Sequence, residues 1–157
     1  PASSTLVRPA LPADRTAIEQ IVHDAYAMYI PRIGKPPGPI FDDYAARIAA
    51  GQTWVLDDGG PIGVLVLIAE PDHLLLDNIA VAPQLQGHGH GLRLLGFADA
   101  EAGRRGYSVL RLYTHLLMHE NLALYAAQGW REYARASQSG YDRVFMEKRL
   151  TGAPPSR

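Results

Sequence analysis

A glycine-rich segment offers the clearest potential for chemistry in this sequence. Its residues are Gln86, Gly87, His88, Gly89, His90 and Gly91. The segment follows a predicted strand and precedes a predicted helix. Glycines let a backbone approach an anion closely, and N–H groups at the start of a helix point toward that anion. The pattern favours a pyrophosphate ligand, although the same glycines would also suit a plain turn before a helix.

Two common phosphate-binding loops do not match this segment. A Walker loop continues from its last glycine into Lys and then Ser or Thr, whereas Leu92 and Arg93 follow Gly91. A dinucleotide-binding loop has the spacing Gly-x-Gly-x-x-Gly and opens a parallel βαβ unit. Here the spacing is Gly-x-Gly-x-Gly, behind the fourth predicted strand. A nucleotide-binding protein of another fold is therefore the less favoured hypothesis.

Four histidines raise the question of a metal site: His88, His90, His115 and His119. His115 and His119 are four residues apart, but no accompanying glutamate pattern or third ligand is evident. His88 and His90 occupy loop positions at which we expect the backbone to do the binding. We predict no metal.

The composition is that of a globular protein with no bias toward polyanionic partners. The 157 residues include 47% hydrophobic and 20% charged residues, with a formal net charge of −1. We expect residues 1–150 to form a single domain and residues 151–157 a disordered tail. The charge balance argues against nucleic acid and membrane partners. The absence of cysteine excludes disulfides and a thiol nucleophile.

The sequence also carries an expectation about location. Its longest apolar run, Ile62–Ala69, has the length of a strand rather than of a membrane span. The opening residues lack the basic and apolar regions of a secretion signal. We therefore expect a cytoplasmic protein.

Periodicity and turn residues predict alternating strands and helices that build one mixed sheet. The predicted strands are Thr5–Arg8, Thr53–Leu56, Ile62–Ala69, His73–Val81, Val109–Thr114, Trp130–Ser137 and Asp142–Arg149. The predicted helices run from an N-cap at Asp14 to a stop at Pro31, over Asp42–Ala50, from the glycine-rich segment to Arg105, and over Glu120–Gln128. In the third of these, Leu94, Leu95, Ala98 and Ala102 are expected to be buried, and Arg93, Glu101 and Arg104 exposed.

The pattern Gln86-x-x-Gly89-x-Gly91 closely resembles the coenzyme A pyrophosphate loop of the GNAT acetyltransferase family. The resemblance covers nearly the whole chain: Val7–Asp14 looks like the opening strand and helix start, Asp77–Pro83 like the central strand, and Glu120–Trp130 like the later Asn, Tyr and Gly-aromatic segment. It implies an α/β fold with a mixed, mostly antiparallel central sheet and helices on both faces. It also implies acetyl-CoA as cosubstrate.

The resemblance implies roles for individual residues. All of Gln86–Gly91 would bind the pyrophosphate, and main-chain groups of Ile79 and Val81 the pantetheine arm. Tyr125 matches the tyrosine that protonates the departing thiolate. Asn121 matches the asparagine before it, although the two are closer together here than in many members. A purely structural role in the core is the alternative for Tyr125.

An acetyl acceptor would need a base, because an alkyl ammonium has a pKa of about 10.4. Without cysteine, the simplest route is direct attack of the amine on the thioester. Asp77, on the central strand, is the first candidate for the base, acting directly or through water. Glu70 and His73 are the alternatives.

We expect acceptor recognition in the first helix and the proline-rich loop. The residues are Tyr26, Tyr29, Arg32, Lys35 and Tyr44, and the alternative is that these tyrosines cover the sheet. Their mixed aromatic and basic character suits either a small substrate that carries a carboxylate or a peptide terminus. The resulting hypothesis is an acetyl-CoA-dependent N-acetyltransferase. The alternative is a non-catalytic acyl-CoA-binding module, and monomer or homodimer is left open.

Overall fold

The computed structural model describes residues 5–150 and contains seven strands and five α-helices over that range. The strands are β1 (Leu6–Pro9), β2 (Thr53–Asp57), β3 (Pro61–Ala69), β4 (Leu74–Val81), β5 (Val109–His115), β6 (Arg131–Gln138) and β7 (Tyr141–Arg149). The helices are α1 (Arg15–Ala27), α2 (Tyr29–Ile33), α3 (Tyr44–Ala49), α4 (His90–Arg104) and α5 (His119–Ala127). The predicted tail, Thr151–Arg157, lies outside the described residues.

The strands form one sheet in the order β1-β2-β3-β4-β5-β7-β6. Antiparallel ladders join β1 to β2, β2 to β3, β5 to β7 and β6 to β7, whereas β4 and β5 are parallel. The expected mixed, mostly antiparallel sheet with helices is confirmed. None of the helices within residues 5–150 is both long and apolar enough to cross a bilayer.

The chain divides into two compact units. The first, unit 1, consists of the chain up to Leu67 together with Asn78–Ala98. Its core contains fully buried side chains from α1, β2, β3 and α4, namely Ile18, Val22, Val55, Leu56, Val64, Leu65 and Leu94. A Cβ on Gly63 of β3 would lie 3.1 Å from Leu94 Cδ1 and 3.4 Å from the Ala80 carbonyl oxygen. Glycine at this position therefore allows the start of α4 to pack closely on the strands.

The predicted first helix of unit 1 begins as expected, with Asp14 as the N-cap residue of α1, but it ends earlier than predicted. Pro31 does not end a helix. The first helix ends before Met28, and Pro31 lies in the first turn of the next helix, α2. Backbone N–H groups in the first turn of a helix have no partner within that helix, so proline is tolerated there. Asp14 makes no side-chain cap bond to α1. Its Oδ2 instead accepts hydrogen bonds from Leu11 N–H at 2.7 Å and from Arg8 Nη1 at 2.8 Å.

The second unit, unit 2, consists of Ile68–Asp77 and the chain from Asp99 onward. Leu110, Leu112, Val144 and Met146 form its buried sheet face, and Ala102 of α4 is also fully buried. Glu101 was expected to be exposed, and this is wrong: only 7% of its surface is accessible. Arg104 and Arg105 each donate to its Oε2 at 2.7 Å. The bond from Arg104 holds the pKa of Glu101 below its ordinary value, so the buried carboxylate is charged and paired.

Candidate active site

The glycine-rich segment of unit 1 forms an exposed loop between β4 and α4. A 3-10 turn (Pro83–Leu85) leads into it, and α4 begins at His90. Gly87 has a φ of +85° and Gly89 a φ of +83°, a left-handed backbone that side chains with a Cβ adopt only under strain. A Cβ built on either glycine would meet no described atom within 4 Å. The glycines are therefore required by the backbone turn, and the space beside them is open.

The backbone N–H groups of this loop are available to a ligand. Gln86 N–H donates to the Pro83 carbonyl, and the first hydrogen bond of α4 runs from Arg93 N–H to the Gly89 carbonyl at 3.0 Å. Between them, within residues 5–150, the N–H groups from Gly87 to Leu92 have no acceptor. The positive end of the α4 dipole lies at the same point. The arrangement suits a pyrophosphate, whose oxygens are strong acceptors.

Gln86 closes this loop onto the strand that precedes it. Its side-chain Nε2 donates to the Val81 carbonyl at 3.1 Å, which links the first residue of the loop to the last residue of β4. His88 is exposed and His90 half-buried, with 6.2 Å between their ring centroids. Among the described residues, no group of three or more His, Asp or Glu side chains is placed to hold a metal ion.

The half of β4 that belongs to unit 1 carries Ile79 and Val81, the two residues expected on the pantetheine arm. Along β4, Leu74, Leu76, Asn78 and Ala80 are buried, whereas Ile79 is half-buried. The Ile79 carbonyl oxygen lies 3.1 Å from the Tyr26 hydroxyl oxygen. The parallel ladder with β5 pairs Leu74 with Leu110 and Leu75 with Arg111.

Tyr125 and Asn121 lie on α5 in unit 2. Tyr125 is 4% exposed, and its ring packs against Trp130 with 6.0 Å between centroids. Its carbonyl accepts hydrogen bonds from Gln128 N–H at 3.0 Å and Trp130 N–H at 3.1 Å. Asn121 is half-buried, and its Nδ2 lies 3.7 Å from Met118 Sδ. Within the described chain, the buried Nε1 of Trp130 has no acceptor.

The three candidate bases belong to unit 2 as well. Asp77 is half-buried on β4. His73 Nδ1 lies 2.6 Å from Asp72 Oδ1, and this bond lowers the pKa of the Asp72 carboxyl. Glu70 forms the turn between β3 and β4: its N–H donates to the His73 carbonyl at 3.0 Å. His73 thus has a carboxylate partner of its own, which would compete with a role as the base.

The acceptor-recognition set is more buried than its sequence suggested. Tyr26, Tyr29 and Tyr44 are 6%, 4% and 1% exposed. Arg32 is exposed, with its Cζ 5.1 Å from the centroid of the Tyr29 ring. The tyrosines therefore fit the alternative interpretation, in which they cover the sheet, and Arg32 is the exposed charged group of the set.

Sequence reasoning missed one buried polar residue at this site. Asn78 is 3% exposed and hydrogen-bonds to both Tyr26 and Tyr44. Its neighbours in sequence, Asp77 and Ile79, were both singled out, and the alternation along β4 turns Asn78 to the opposite face from them. An asparagine at a buried position of a strand was the available signal, because such a polar side chain needs hydrogen-bond partners.

Comparison with known proteins bears on the family and the fold. A family model described as an acetyltransferase (GNAT) domain matches residues 49–132, more than half of the chain. None of the curated proteins matches this sequence.

Three solved structures illustrate the likeness in fold. An IAA acetyltransferase from Bacillus cereus ATCC 14579 is 27% identical with a TM-score of 0.70, and the match covers 94% of this chain and 100% of that one. The ribosomal-protein-S18-alanine N-acetyltransferase from Escherichia coli is 21% identical with a TM-score of 0.73, covering 98% of both chains. The paia N-acetyltransferase from Thermoplasma acidophilum, in complex with coenzyme A, is 17% identical with a TM-score of 0.78, covering 94% of this chain and 99% of that one. These matches confirm the expected fold class.

Proposed function

This chain belongs to the GNAT acetyltransferase family, and we propose that it is an N-acetyltransferase that moves the acetyl group of acetyl-CoA directly to an amine of a small molecule or peptide. One observation carries the proposal. The N–H groups from Gly87 to Leu92 have no acceptor within the described residues, and they lie between the central strand and the start of α4. This is where the family motif requires a pyrophosphate.

The residues of the loop fit the phosphate part of acetyl-CoA. Because Gly87 and Gly89 have no Cβ, the space beside them is open to the ligand; a side chain at either position would occupy part of that space. Gln86 holds the loop against β4 through its hydrogen bond to the Val81 carbonyl. Main-chain groups of Ile79 and Val81 are proposed to bind the pantetheine arm, and Asn121 to contact the coenzyme from α5.

Two side chains are proposed to move protons. Acetyl-CoA supplies an activated acetyl group as a thioester. Asp77 removes a proton from the acceptor ammonium, directly or through a water molecule, so that the amine nitrogen can form the new C–N bond. Tyr125 donates its phenolic proton to the sulfur as the C–S bond breaks. The excess proton on the attacking nitrogen is lost to solvent as the amide forms, and the phenol regains a proton from solvent. A phenol with a pKa of about 10 is protonated at neutral pH, so this donor needs no special tuning.

A thiol-release assay with acetyl-CoA tests the proposal. The amines to be offered are polyamines, amino acids, aminoglycosides and short peptides. We expect thiol release that depends on the amine and is lost on boiling the protein. Tight acetyl-CoA binding with no release for any of these amines would favour a non-catalytic coenzyme-binding module instead.

A further inference from the structure

A buried hydrogen-bonded chain in unit 1 joins Tyr26, Asn78 and Tyr44. The Tyr26 hydroxyl donates to Asn78 Oδ1 at 2.6 Å, and Asn78 Nδ2 donates to the Tyr44 hydroxyl at 2.9 Å. The Tyr44 hydroxyl in turn donates to the Pro39 carbonyl at 2.7 Å. All three side chains are at most 6% exposed. We call this set of hydrogen bonds the Asn78 relay.

The direction of each bond is determined by the groups that it joins. The Pro39 carbonyl can only accept, so the single proton of the Tyr44 hydroxyl goes to it. The Tyr44 oxygen is then left as an acceptor, which matches the amide N–H of Asn78. The amide oxygen of Asn78 is left to accept from Tyr26. Reversing the amide would place its oxygen against the Tyr44 lone pairs, so the three residues are matched as a set.

The relay connects segments that are far apart in sequence. Tyr26 is on α1, Tyr44 is the first residue of α3, and Pro39 is in the 3-10 turn Gly38–Phe41 of the proline-rich loop. Asn78 lies on β4, 34 positions from Tyr44 and 52 from Tyr26. In the protein interior such bonds are stronger than in water, and a partner left unpaired is costly. The relay therefore holds the proline-rich loop to β4.

The two tyrosines lie at opposite ends of the Asn78 relay. The Tyr26 hydroxyl also lies 3.1 Å from the carbonyl oxygen of Ile79, whose main chain is proposed to bind pantetheine. The Tyr44 hydroxyl contacts the loop through Pro39. Asn78 lies between the two, and within residues 5–150 its side chain makes no hydrogen bond to the loop or to the Ile79 carbonyl.

We propose that Asn78 is a positioning residue. It fixes the position of the proline-rich loop relative to the coenzyme-binding strand β4, through its hydrogen bond to Tyr44 on the side of the loop and its hydrogen bond to Tyr26 on the side of Ile79. This rests on the proposed function, in which β4 carries the coenzyme, and on the expectation from the sequence that the proline-rich loop takes part in acceptor recognition. Tyr44 thereby governs acceptor binding and Tyr26 governs coenzyme binding, although both are buried tyrosines that share one amide.

The matched variants Tyr44→Phe and Tyr26→Phe test this division. Each keeps the ring and deletes one hydroxyl that contacts Asn78, so both should lose stability to a similar extent. Amide exchange of Ile40 and Asp42 reports on the loop, because these N–H groups donate to Pro37 and Pro39. We expect Tyr44→Phe to speed exchange of both amides by about 2- to 10-fold. This is the change in the opening equilibrium of the loop that the loss of one hydrogen bond should cause. Tyr26→Phe should leave both amides unchanged.

Ligand binding provides the second comparison. Calorimetry with acetyl-CoA should show weaker binding for Tyr26→Phe and unchanged binding for Tyr44→Phe. With the panel amine that gives the fastest thiol release, the acceptor KM should rise in Tyr44→Phe at nearly constant kcat. Asn78→Asp keeps an acceptor for Tyr26 and removes the donor to Tyr44. It should therefore show the same changes as Tyr44→Phe in amide exchange, acetyl-CoA affinity and acceptor KM.

The outcomes separate the relay from the proposed function. Equal exchange of Ile40 and Asp42 in the Tyr44→Phe and Tyr26→Phe variants would overturn the relay, whatever the enzyme does. Faster loop exchange in Tyr44→Phe, with the two variants alike in acetyl-CoA affinity and acceptor KM, would also overturn the positioning role. If the unaltered protein binds no acetyl-CoA, it is the proposed function that fails, and amide exchange alone decides whether the relay holds the loop.

Discussion

The phenol ring of Tyr125 packs against the indole ring of Trp130, with 6.0 Å between the centroids and 56° between the planes. The Trp130 N–H donates to the Tyr125 carbonyl at 3.1 Å, so the main chain holds the two residues together as well. Gly129, with a φ of +91°, allows the chain to turn between them. The position of the Tyr125 ring therefore has support that does not involve its hydroxyl.

This relationship makes Tyr125→Phe a clean test of the proposed acid. The variant keeps the ring and its packing on Trp130 but deletes the phenolic proton. General-acid contributions are about 10²–10⁴-fold, so kcat should fall on that scale while acetyl-CoA affinity and Tm change little. Single-turnover rates with a panel amine provide the measurement.

Tyr107→Phe is the matched control for this hydroxyl deletion. The Tyr107 hydroxyl donates to the Glu70 carbonyl at 2.8 Å, and no catalytic role is proposed for it. The control should retain its kcat. If Tyr125→Phe keeps most of its turnover when chemistry limits the rate, another group, such as a bound water, is the acid.

Local sequence patterns predicted the features of this chain that depend on neighbours in sequence. The strand before Pro83, the glycine-rich turn that contains Gly87 and Gly89, and the buried positions Leu94 and Ala98 on α4 are of this kind. Each depends on alternation, helical spacing or the conformational freedom of glycine, which are readable within a few residues.

Three sets of side-chain contacts were not predicted from the sequence, one between distant residues and two between residues close in sequence. The hydrogen-bond partners of Asn78 are tyrosines 34 and 52 positions away in sequence. The residues next to Asn78 in sequence give no sign of these partners. Glu101 is buried because two arginines of its own helix end neutralise it, although its charge suggested exposure. Asp14 is held by Arg8 across the turn before α1, which competes with a capping role.

Arg32 is predicted to affect the acceptor rather than the coenzyme. It is the exposed cation of the acceptor-recognition set, above the Tyr29 ring. Arg32→Ala should raise the acceptor KM on the order of tenfold, the effect of losing one charge-assisted hydrogen bond, with the acetyl-CoA KM nearly constant. Arg15→Ala removes an exposed arginine of α1 that pairs with Glu19 at 3.3 Å, and it should change neither KM. Equal increases of both KM values in Arg32→Ala would contradict this assignment.

Lowering the pH should reduce the stability of unit 1, because Asp14 becomes protonated. The hydrogen bond from Arg8 holds the pKa of this carboxyl below its ordinary value, and the bond from the Leu11 N–H acts in the same direction against the effect of burial. A carboxyl with a lower pKa in the folded state binds fewer protons there than when unfolded. Its stabilising contribution is therefore complete above a pH of about 4 and is lost as the pH falls through the folded-state pKa.

Asp14→Asn tests this dependence in urea denaturation at several pH values. The variant should be less stable than the unaltered protein at pH 7, because Arg8 loses a charged partner. The difference should narrow as the pH falls below about 4, because Asp14 is then protonated in the unfolded chain and, at still lower pH, in the folded protein as well. A difference that stays constant down to the acid transition would show that the Arg8–Asp14 pair is not the source of the pH dependence.

The loop from Gln86 to Gly91 is predicted to bind acetyl-CoA. Gly89→Val and Gly106→Val form a matched pair, because both glycines have a φ of +83° and open space around a Cβ. Valine at either position should cost about 1–3 kcal/mol of backbone strain. Only Gly89→Val also places a side chain beside the N–H groups proposed to hold the pyrophosphate.

Thermal denaturation of these two variants with and without acetyl-CoA is the most direct test. At a ligand concentration of about 100 times Kd, the unaltered protein and Gly106→Val should each gain roughly 2.7 kcal/mol of stability. Gly89→Val should gain little or none. An equal gain in Gly89→Val and Gly106→Val, or no gain in the unaltered protein, would contradict the account.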